Sequence, residues 1–483
     1  MGSLSNRNYL NILSSDEVQD IHIATLELLA HTGILIREGG ALRLVEQAGA
    51  NVDHKESIAK IPPDLIEEAV DKAVKNFIWH ARNPNNSLRI GGESTKFGPG
   101  SECVNIIDAE TGECRAPTRR DAEQLVRLMD ALENIHINYP PASLSDVPEP
   151  VSDIYSLAIG IKNSSKCMIG SSYCASAACD SIRIAAALAG GEEELKKKPI
   201  IAGYIDPISP LTHGREMTEA LFEYANYAQP IFITSMALAG ATGPATLAGT
   251  LVQQNAEILS GVLIAHLVNP DAPVIYGTAS CPMDMRTGVS STGSPEVGLL
   301  GAASTQIARY YGIPSDVAAQ SNAKVPDAQA SYEKTMSLTM AVMAGADLID
   351  LFAGSMESYR TTSYEQLVID NELAGMALRC AKGIEVNAKT MAKEVIDRVG
   401  PGGNFLANKH TLEWFRREHY YPKLSDRRTR SDWEKSGRKD IRQEAKNRAK
   451  EILERHEPEP VDPTIWREIE VIVKDVEKRE LKG

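Results

Sequence analysis

Two apolar runs, Pro230-Ile-Phe-Ile-Thr-Ser235 and Pro273-Val-Ile-Tyr-Gly-Thr278, stand on either side of a long helical pattern that begins near Pro244. Both runs are rich in β-branched and aromatic residues, which favour strands. Two parallel strands need a crossover between them, and the crossover is usually a helix. Residues 230–278 therefore predict one parallel βαβ unit.

The same unit repeats on both sides of this stretch, between residues 95 and 385. Six further strand-like runs are Thr95–Gly98, Ile135–Tyr139, Lys166–Ser171, Pro199–Tyr204, Ser315–Gln320 and Asp347–Phe352. The helical patterns begin near Thr118, Val151, Ala175, His213, Pro244, Pro295, Asp327 and Tyr364. Eight units favour a closed barrel, because closure leaves no strand at an edge. The sequence thus predicts an α/β fold of the (βα)8 TIM-barrel type over residues 95–385.

The segments outside the barrel predict an N-terminal helical and β cap over residues 1–94 and a C-terminal helical extension over residues 386–483. Within them we expect helices from Ser14 and over Asp64–Val74, strands over Phe77–His80 and Leu88–Ile90, an exposed charged helix over Arg427–Glu454, and a short last helix over Thr464–Val473. A hairpin over Cys103–Arg115 is expected as an insertion after the first barrel strand.

Charge and cysteine content exclude several classes of protein. The chain has 51 Lys and Arg against 65 Asp and Glu, a net charge of −14, which does not suit nucleic-acid binding. Seven cysteines, an odd number in a long chain, indicate a reducing compartment, and we expect a cytoplasmic protein. Residues 1–18 lack the pattern of a signal peptide, and the apolar helices are expected to break short of 18 residues, so no membrane span is predicted.

In a βα barrel the site lies at the C-terminal ends of the strands, so residues at those ends are the candidates. Six aromatic residues stand there: Phe97, Tyr139, Tyr173, Tyr204, Tyr276 and Phe352. Aromatic faces attract weakly hydrated cations such as quaternary ammonium groups. The set therefore predicts a cation pocket, with ordinary packing of aromatic rings at a barrel rim as the alternative.

Charged and polar residues at the same end are further candidates. Glu102 and Asp206 are expected to act as a general base or to face a cation, whereas Asp327 stands at a helix start and is expected to cap it. His213, Arg286, Gln320 and Lys324 are candidates for binding a substrate, the cationic ones through a substrate carboxylate. Cys167, Cys174 and Cys281 match no zinc spacing, and no metal ligands are predicted.

Several segments resemble the trimethylamine methyltransferase superfamily. They are Tyr276-Gly-Thr-Ala-Ser-Cys-Pro-Met-Asp-Met-Arg-Thr-Gly288, Gly293-Ser-Pro-Glu296, Asp327-Ala-Gln-Ala-Ser-Tyr-Glu-Lys334, Ala346-Asp347, Gly354-Ser-Met-Glu357 and Ser363-Tyr-Glu-Gln-Leu-Val368. The resemblance spans essentially the whole chain and implies a barrel that moves a methyl group from a methylamine-type donor to Co(I) of a separate corrinoid protein. The founding members carry pyrrolysine, whereas this chain resembles the branch without it, whose substrates are quaternary amines such as glycine betaine, proline betaine and carnitine.

The resemblance sets the functional expectations. A quaternary ammonium leaves as a neutral amine, so catalysis would depend on positioning in a dry aromatic pocket. Glycine betaine, as the smallest and most widespread donor, is expected first. Because the chain lacks a corrinoid-binding Asp-x-His-x-x-Gly signature, cobalamin is expected on a partner protein, with no tightly bound cofactor here, and a homo-oligomer is expected. The alternatives are another barrel enzyme, a lyase or hydrolase with Asp206 or Glu102 as base, and a non-catalytic binder of quaternary amines.

Overall fold

Eight parallel strands form the centre of the protein in a computed structural model, which describes residues 9–92 and 94–481. They are β1 (Lys96–Pro99), β2 (Ile137–Asn138), β3 (Cys167–Ile169), β4 (Ile201–Ile205), β5 (Ile231–Ser235), β6 (Val274–Thr278), β7 (Ser315–Val317) and β8 (Leu348–Ala353). Each strand overlaps one predicted run. Residues 1–8, part of the segment in which no signal peptide is expected, lie outside the described residues.

The eight strands close into a barrel. Their order in the sheet is β1-β8-β7-β6-β5-β4-β3-β2. The two ends of this sheet meet where the backbone N–H of His136 donates to the carbonyl oxygen of Phe97 at 2.8 Å. The backbone N–H of Phe97 donates in turn to Nδ1 of His136 at 3.1 Å. The predicted (βα)8 barrel is therefore confirmed.

One long helix follows each strand. The barrel helices are α1 (Arg119–Ala131), α2 (Glu149–Asn163), α3 (Ala175–Ala189), α4 (Arg215–Asn226), α5 (Leu247–Val268), α6 (Pro295–Tyr311), α7 (Ala328–Ala344) and α8 (Tyr364–Ala381). Local chemistry fixes their starts: α6 begins with a proline, and the Asp327 carboxylate caps α7 by accepting from the N–H groups of Gln329 and Ala330.

Helix α5 corrects one expectation. This helix of 22 residues is long enough and apolar enough on average to cross a membrane, so the prediction that every apolar helix breaks short of 18 residues is wrong. The polar residues Gln254 and Asn255 do not interrupt it, because both are buried and bonded to neighbouring side chains. About 78% of its apolar window is buried inside the protein, as expected for a helix in a barrel wall.

The N-terminal segment packs its helices against α5, and its hairpin covers one end of the barrel. It contains helices Ser15–His31, Gly39–Ala48 and Pro63–Lys72, the strands Ile34–Ile36, Asn51–Asp53 and Ile58–Lys60, and the hairpin Phe77–Trp79 with Leu88–Ile90. The hairpin inserts at the N-terminal ends of the strands. The Trp79 indole N–H donates to the carbonyl oxygen of Ile200 at 2.9 Å, and the Trp79 ring lies edge-on to Phe232 inside the barrel, 5.9 Å away. The hairpin therefore closes this end and leaves the opposite end as the mouth.

The C-terminal segment differs from the prediction. The charge-rich stretch Arg427–Glu454 is not one exposed helix but two, Arg430–Lys435 and Ile441–Arg455. Asp440 caps the second helix, which buries the apolar residues Ala445, Ala449 and Ile452 against α1 and α8. Three apolar residues at helical spacing are enough to bury one face of a charged helix. The last helix, Pro463–Glu480, is longer than predicted and packs against α2 and α3.

The remaining elements are short. They are the helices Glu192–Leu195, Lys393–Val399 and Lys409–Glu418, the 3-10 turn Pro84–Asn86, and the strands Asn105–Ile107, Cys114–Arg115, Thr212–His213, Leu238–Ala239, Cys281–Asp284, Val289–Ser290, Ser355–Met356 and Thr361–Thr362. Asn105–Ile107 and Cys114–Arg115 form the expected hairpin after β1. Most of the other strands lie within the loops at the mouth.

A buried ion pair gives a first testable prediction. The Lys334 ammonium donates to the Asp370 carboxylate at 2.7 Å, and both side chains are fully buried between α7 and α8. Lys334→Met should destabilise the fold by about 3–5 kcal/mol, because it leaves the Asp370 charge buried without a partner. Differential scanning calorimetry measures the effect. Lys196→Met, at an exposed pair, should leave the Tm unchanged, and Lys334→Met combined with Asp370→Leu should recover most of the loss. Equal Tm values for Lys334→Met and the unaltered chain would contradict this role.

Candidate active site

A cavity of about 370 Å³ opens at the C-terminal ends of the strands. The loops after seven of the eight strands contribute to it, because all eight strands point towards this end. The lining residues are Gly100, Ser101, Glu102, Tyr139, Ile169, Gly170, Ser171, Ser172, Tyr173, Tyr204, Asp206, Met217, Thr234, Met236, Ala279, Asp350, Leu351 and Tyr359. Five of them, Glu102, Tyr139, Tyr173, Tyr204 and Asp206, were predicted as site residues from the sequence.

Four tyrosines form the aromatic part of the cavity wall, namely Tyr139, Tyr173, Tyr204 and Tyr359. The Tyr204 ring lies parallel to the buried Phe232 ring, with centroids 5.0 Å apart. Its hydroxyl donates to Oδ2 of Asp316 at 3.1 Å. Two interactions therefore fix the Tyr204 ring at the cavity floor. An aromatic wall of this kind binds organic cations through its ring faces.

Tyr359 reaches the cavity from an unusual turn. Glu357, Ser358 and Tyr359 have successive φ angles of 53°, 53° and 69°, a left-handed run that non-glycine residues rarely adopt. The surrounding loops stabilise it, since the N–H groups of Glu357 and Ser358 donate to backbone carbonyls of the loop after β7. Strained backbone of this kind clusters at functional sites. Sequence reasoning missed Tyr359 because no composition signal marks such a turn.

Three carboxylates gather beneath the aromatic wall. Asp206 and Asp350 line the cavity, and Asp316 lies between Tyr204 and Asp350, whose backbone N–H donates to Asp316 at 3.0 Å. Burial, followed by repulsion from Asp316, raises the pKa of Asp206 to about 7. Burial raises the pKa of Asp316 to about 7. The pKa of Asp350 is raised well above its usual value by burial and by Asp316. The group holds more protons than three exposed carboxylates would.

Glu102 forms a separate acidic point at the rim. The Tyr173 hydroxyl donates to Glu102 at 3.4 Å, and Asp153 lies behind it in an adjoining groove. Burial and the neighbouring Asp153 charge raise the pKa of Glu102 to about 7. Its side chain therefore exchanges a proton near neutral pH, which suits either a proton-transfer group or a group that ionises when a cation binds.

The predicted cationic residues lie away from the cavity. Among the residues that the structure describes, no Lys, Arg or His lines the cavity wall. His213 is buried under the N-terminal cap, where Nε2 contacts Ser260 Oγ at 2.9 Å, and burial lowers its pKa to about 4. The Arg286 side chain is 89% exposed and pairs with Asp284. Lys324 is exposed and donates to a neighbouring carbonyl. A position at the end of a strand predicts that a residue lies near the mouth, but not that its side chain enters the cavity. The structure therefore corrects the predictions for His213, Arg286 and Lys324.

Four other candidates belong to the packing around the barrel. Phe97 and Phe352 are buried with ring centroids 5.9 Å apart in the layer between the strands and α1, α7 and α8. The Tyr276 hydroxyl donates to an asparagine of α5 at 3.0 Å. Gln320 is buried, and its Oε1 accepts from a serine after β8 at 2.9 Å. Side chains alternate between the two faces of a strand, so a strand residue at the right height still faces the helices half of the time.

The cavity offers carboxylates and aromatic rings rather than a metal-ligand set. Within the part of the chain that the structure describes, no group of three His, Cys, Asp or Glu side chains is arranged to hold a metal ion. The three cysteines considered for zinc are separated, with Cys167 against the Trp79 carbonyl at the closed end and Cys174 at the start of α3 near the mouth. The arrangement instead fits a small organic cation, held by charge and by ring faces.

Fold and cavity together define a (βα)8-barrel enzyme with an aromatic and acidic mouth. The family model of trimethylamine methyltransferase (MTTB) matches residues 3–482, and the chain belongs to that family. It is 39% identical to the glycine betaine methyltransferase of Desulfitobacterium hafniense (strain Y51) over 465 residues, 96% of each chain. It is 36% identical to the trimethylamine methyltransferase MttB of Methanosarcina barkeri (strain Fusaro / DSM 804), over 97% of this chain and 96% of that relative.

The same fold occurs in the crystal structure of the Methanosarcina barkeri monomethylamine methyltransferase MtmB. The two structures match with a TM-score of 0.54 at 14% identity, over 91% of this chain and 87% of that chain. At this identity the likeness supports the fold alone. The family relation is what makes this chain a methyltransferase, and it confirms the resemblance found in the sequence.

Proposed function

We propose that this enzyme takes a methyl group from a quaternary amine and delivers it to Co(I) of a separate corrinoid protein. One observation carries the proposal: a single cavity combines four tyrosine rings with the buried carboxylates of Asp206 and Asp350, and it contains no basic side chain among the residues that line it. A permanent organic cation is the ligand class that satisfies both features. The similarity to a glycine betaine methyltransferase agrees with this class.

The residues of this chain bind and orient the donor. The rings of Tyr204 and Tyr359 surround the methylated nitrogen, and Asp206 balances its charge. The two rings and the Asp206 carboxylate exclude water and align one N–CH3 bond with the open mouth. This alignment lowers the barrier to methyl transfer. The amine leaves without a proton, so no side chain has to act as an acid. A corrinoid bound at the mouth would supply the Co(I) nucleophile that accepts the methyl group.

The rim of the mouth is suited to a partner protein. Exposed apolar side chains stand on two rim loops and near the start of α7: Ile208 is 57% exposed, Met285 74% and Tyr332 62%. Apolar patches of this kind on a soluble surface mark interaction sites. A corrinoid protein that docks here would bring its cofactor over the cavity, which supports cobalamin on a partner rather than on this chain.

Acid-base chemistry is the second candidate. The pKa of Glu102 is raised to about 7 by burial and by Asp153, which is the range of an effective general base. A lyase or hydrolase that uses Glu102 or Asp206 would turn over a substrate without any corrinoid. Methyl transfer that requires Co(I), and the absence of any reaction without it, separates the two functions.

The arm formed by residues 383–439 supports self-association. It begins at the closed end of the barrel, where Leu378 and Ala381 of α8 lie beside the residues that precede β1 and β8. Several of its apolar side chains are exposed, including Ile384 at 85% and Leu406 at 88%. The arm carries 13 Lys and Arg but eight Asp and Glu on a chain of net charge −14, which suits an acidic second copy. We expect a homo-oligomer, and mass photometry that finds a monomer would contradict it.

An anoxic methyl-transfer assay tests the proposed function. The purified enzyme is mixed with Co(I)alamin, or with its corrinoid protein in the Co(I) state, and separately with glycine betaine, proline betaine, carnitine, choline and trimethylamine. Loss of the Co(I) absorbance with a quaternary donor, and none with trimethylamine, is the expected result. No loss with any quaternary donor in the presence of the corrinoid protein overturns the proposal.

We place the reaction in the cytoplasm, since Co(I) needs a reducing compartment and all seven cysteines are free.

Binding of the donor should depend on pH. In the empty cavity the pKa of Asp206 is raised to about 7 by burial and by Asp316, so this carboxyl is increasingly protonated below that pH. A bound cation favours the charged carboxylate, so affinity is full above pH 7 and falls about tenfold per unit as pH drops below it. Isothermal titration calorimetry at pH 5.5, 7 and 8.5, in two buffers of different ionisation enthalpy, measures affinity and proton release together. An affinity that rises as pH falls would contradict this arrangement.

A further inference from the structure

We propose that the preferred methyl donor is a quaternary ammonium ion whose remaining substituent is uncharged, as in choline, rather than a zwitterionic betaine. The inference rests on the proposed function and narrows its substrate class. It replaces the sequence-based expectation of glycine betaine with a donor chosen by the charges in the cavity. Three features carry it: the acidic groups, the missing positive groups, and the four hydroxyl groups that already act as donors.

The acidic groups favour a ligand with net positive charge, because Asp206, with a pKa of about 7, is mostly ionised at pH 8. Asp206 and Asp350 line the cavity, and Asp316 lies directly behind them. The Oδ1 oxygen of Asp206 is closed to solvent and has no hydrogen-bond partner among the described residues, and the same holds for Oγ1 of Thr234. Unpaired acceptor oxygens in a buried place are stabilised by a cation or by a donating hydroxyl group. An alcohol such as choline brings both.

A betaine carboxylate would find no cation. In glycine betaine a single methylene separates nitrogen from carboxylate, so both charges lie in the cavity when the nitrogen lies near Asp206. Every residue that lines the cavity is neutral or acidic. The basic residue in the adjoining groove, Arg479, already pairs with Asp180 at 2.6 Å and with Glu480 at 2.7 Å. Burying a carboxylate without a charged partner is strongly unfavourable.

Four of the hydroxyl groups at the cavity already act as donors. Tyr204 donates to Asp316, and Tyr173 to Glu102. Ser171 donates to Asp153 at 2.6 Å, and Ser101 to the Tyr359 carbonyl at 3.4 Å. A substrate carboxylate would have to break one of these bonds to gain any of the four hydroxyl groups as a partner, and each bond broken leaves a buried acceptor unpaired. A neutral hydroxyl or methyl group on the ligand does not require any of these hydrogen bonds to break.

The experiment compares ligands that differ in one charge. Calorimetric titration of the intact enzyme at pH 8 uses choline, tetramethylammonium, glycine betaine and glycine betaine methyl ester. The ester keeps the betaine skeleton and removes its negative charge. We expect choline and the ester to bind within about threefold of each other, and glycine betaine at least about tenfold more weakly. The same order is expected for kcat/KM in the Co(I) assay.

The outcomes separate this inference from the function on which it rests. Glycine betaine that binds and reacts as well as choline, or better than its own ester, overturns the inference and leaves methyl transfer in place. No binding and no methyl transfer with any of the four ligands overturns both. A pH series adds an independent readout: choline should bind more weakly below pH 7, whereas betaine binding that strengthens there would show a protonated Asp206 donating to a substrate carboxylate and would also overturn the inference.

Discussion

Asp206→Asn should lower kcat/KM for a quaternary donor by about 100-fold, with most of the loss in KM. The substitution keeps the shape of the side chain and removes the negative charge beside the donor nitrogen. Two unit charges about 4 Å apart attract by about 4 kcal/mol at the effective dielectric constant of partly buried sites. Losing about 3 kcal/mol of this attraction weakens transfer by a factor of about 100. The measurement is steady-state methyl transfer at pH 8, where the carboxylate is mostly ionised.

A matched control separates this local charge from a general effect on the barrel. Asp347 is partly buried and stands just before β8, but at the closed end, where its carboxylate accepts from the backbone N–H of Ser315 at 2.9 Å. Asp347→Asn keeps an acceptor oxygen there and should leave kcat/KM nearly unchanged. Equal losses for Asp206→Asn and Asp347→Asn would show that the cavity charge is not what binds the donor.

The strand-end rule explains which site residues could be predicted from the sequence. Asp206 follows β4 directly, and Tyr139 and Tyr173 follow β2 and β3, so the rule alone brings them to the mouth. Asp350 could also have been predicted as a site residue, because a carboxylate inside an apolar strand is rarely placed there for stability alone. Asp316 carries the same signal within β7.

The pleat of the strands explains where the rule fails. On β6 the side chain of Ile275 belongs to the cluster inside the barrel, whereas its neighbour Tyr276 belongs to the layer beneath the helices. Both residues lie in a continuous apolar run with no alternation of polar and apolar side chains, because a barrel strand is buried on both faces. The run therefore gives no sign of which of the two residues faces the interior of the barrel.

Long-range contacts explain the rest of what the sequence hides. His213 stands in a short strand that pairs with Ile34–Ile36 from the N-terminal cap, so its place is decided by a segment more than 170 residues away in the chain. Tyr359 depends on a left-handed turn held by the loop after β7. Neither contact leaves a local pattern, and neither residue could be assigned correctly by periodicity or by motif spacing.

The role of the aromatic wall can be separated from that of its hydroxyl groups at Tyr204. Tyr204→Ala should lower kcat/KM for the quaternary donor by about 100-fold, because it removes the ring face from the donor cation and opens the floor of the cavity to water. A desolvated cation–π contact contributes about 2 kcal/mol, or a factor of about 30, and the loss of water exclusion adds to it. Steady-state methyl transfer gives the value, and calorimetry checks that the fold is retained.

Tyr204→Phe is the matched variant, since it keeps the ring stacked on Phe232 and removes only the hydroxyl group that donates to Asp316. Losing one hydrogen bond to a buried carboxyl contributes about 1.5–3 kcal/mol, but Asp316 compensates by holding a proton more tightly, so kcat/KM should fall by no more than about tenfold. Because a protonated Asp316 no longer repels the Asp206 charge, the pKa of Asp206 falls, and the pH at which donor binding weakens should move downward in this variant. If Phe and Ala at this position lose the same activity, the hydroxyl group rather than the ring binds the donor, and the aromatic cation pocket is the wrong description of the cavity.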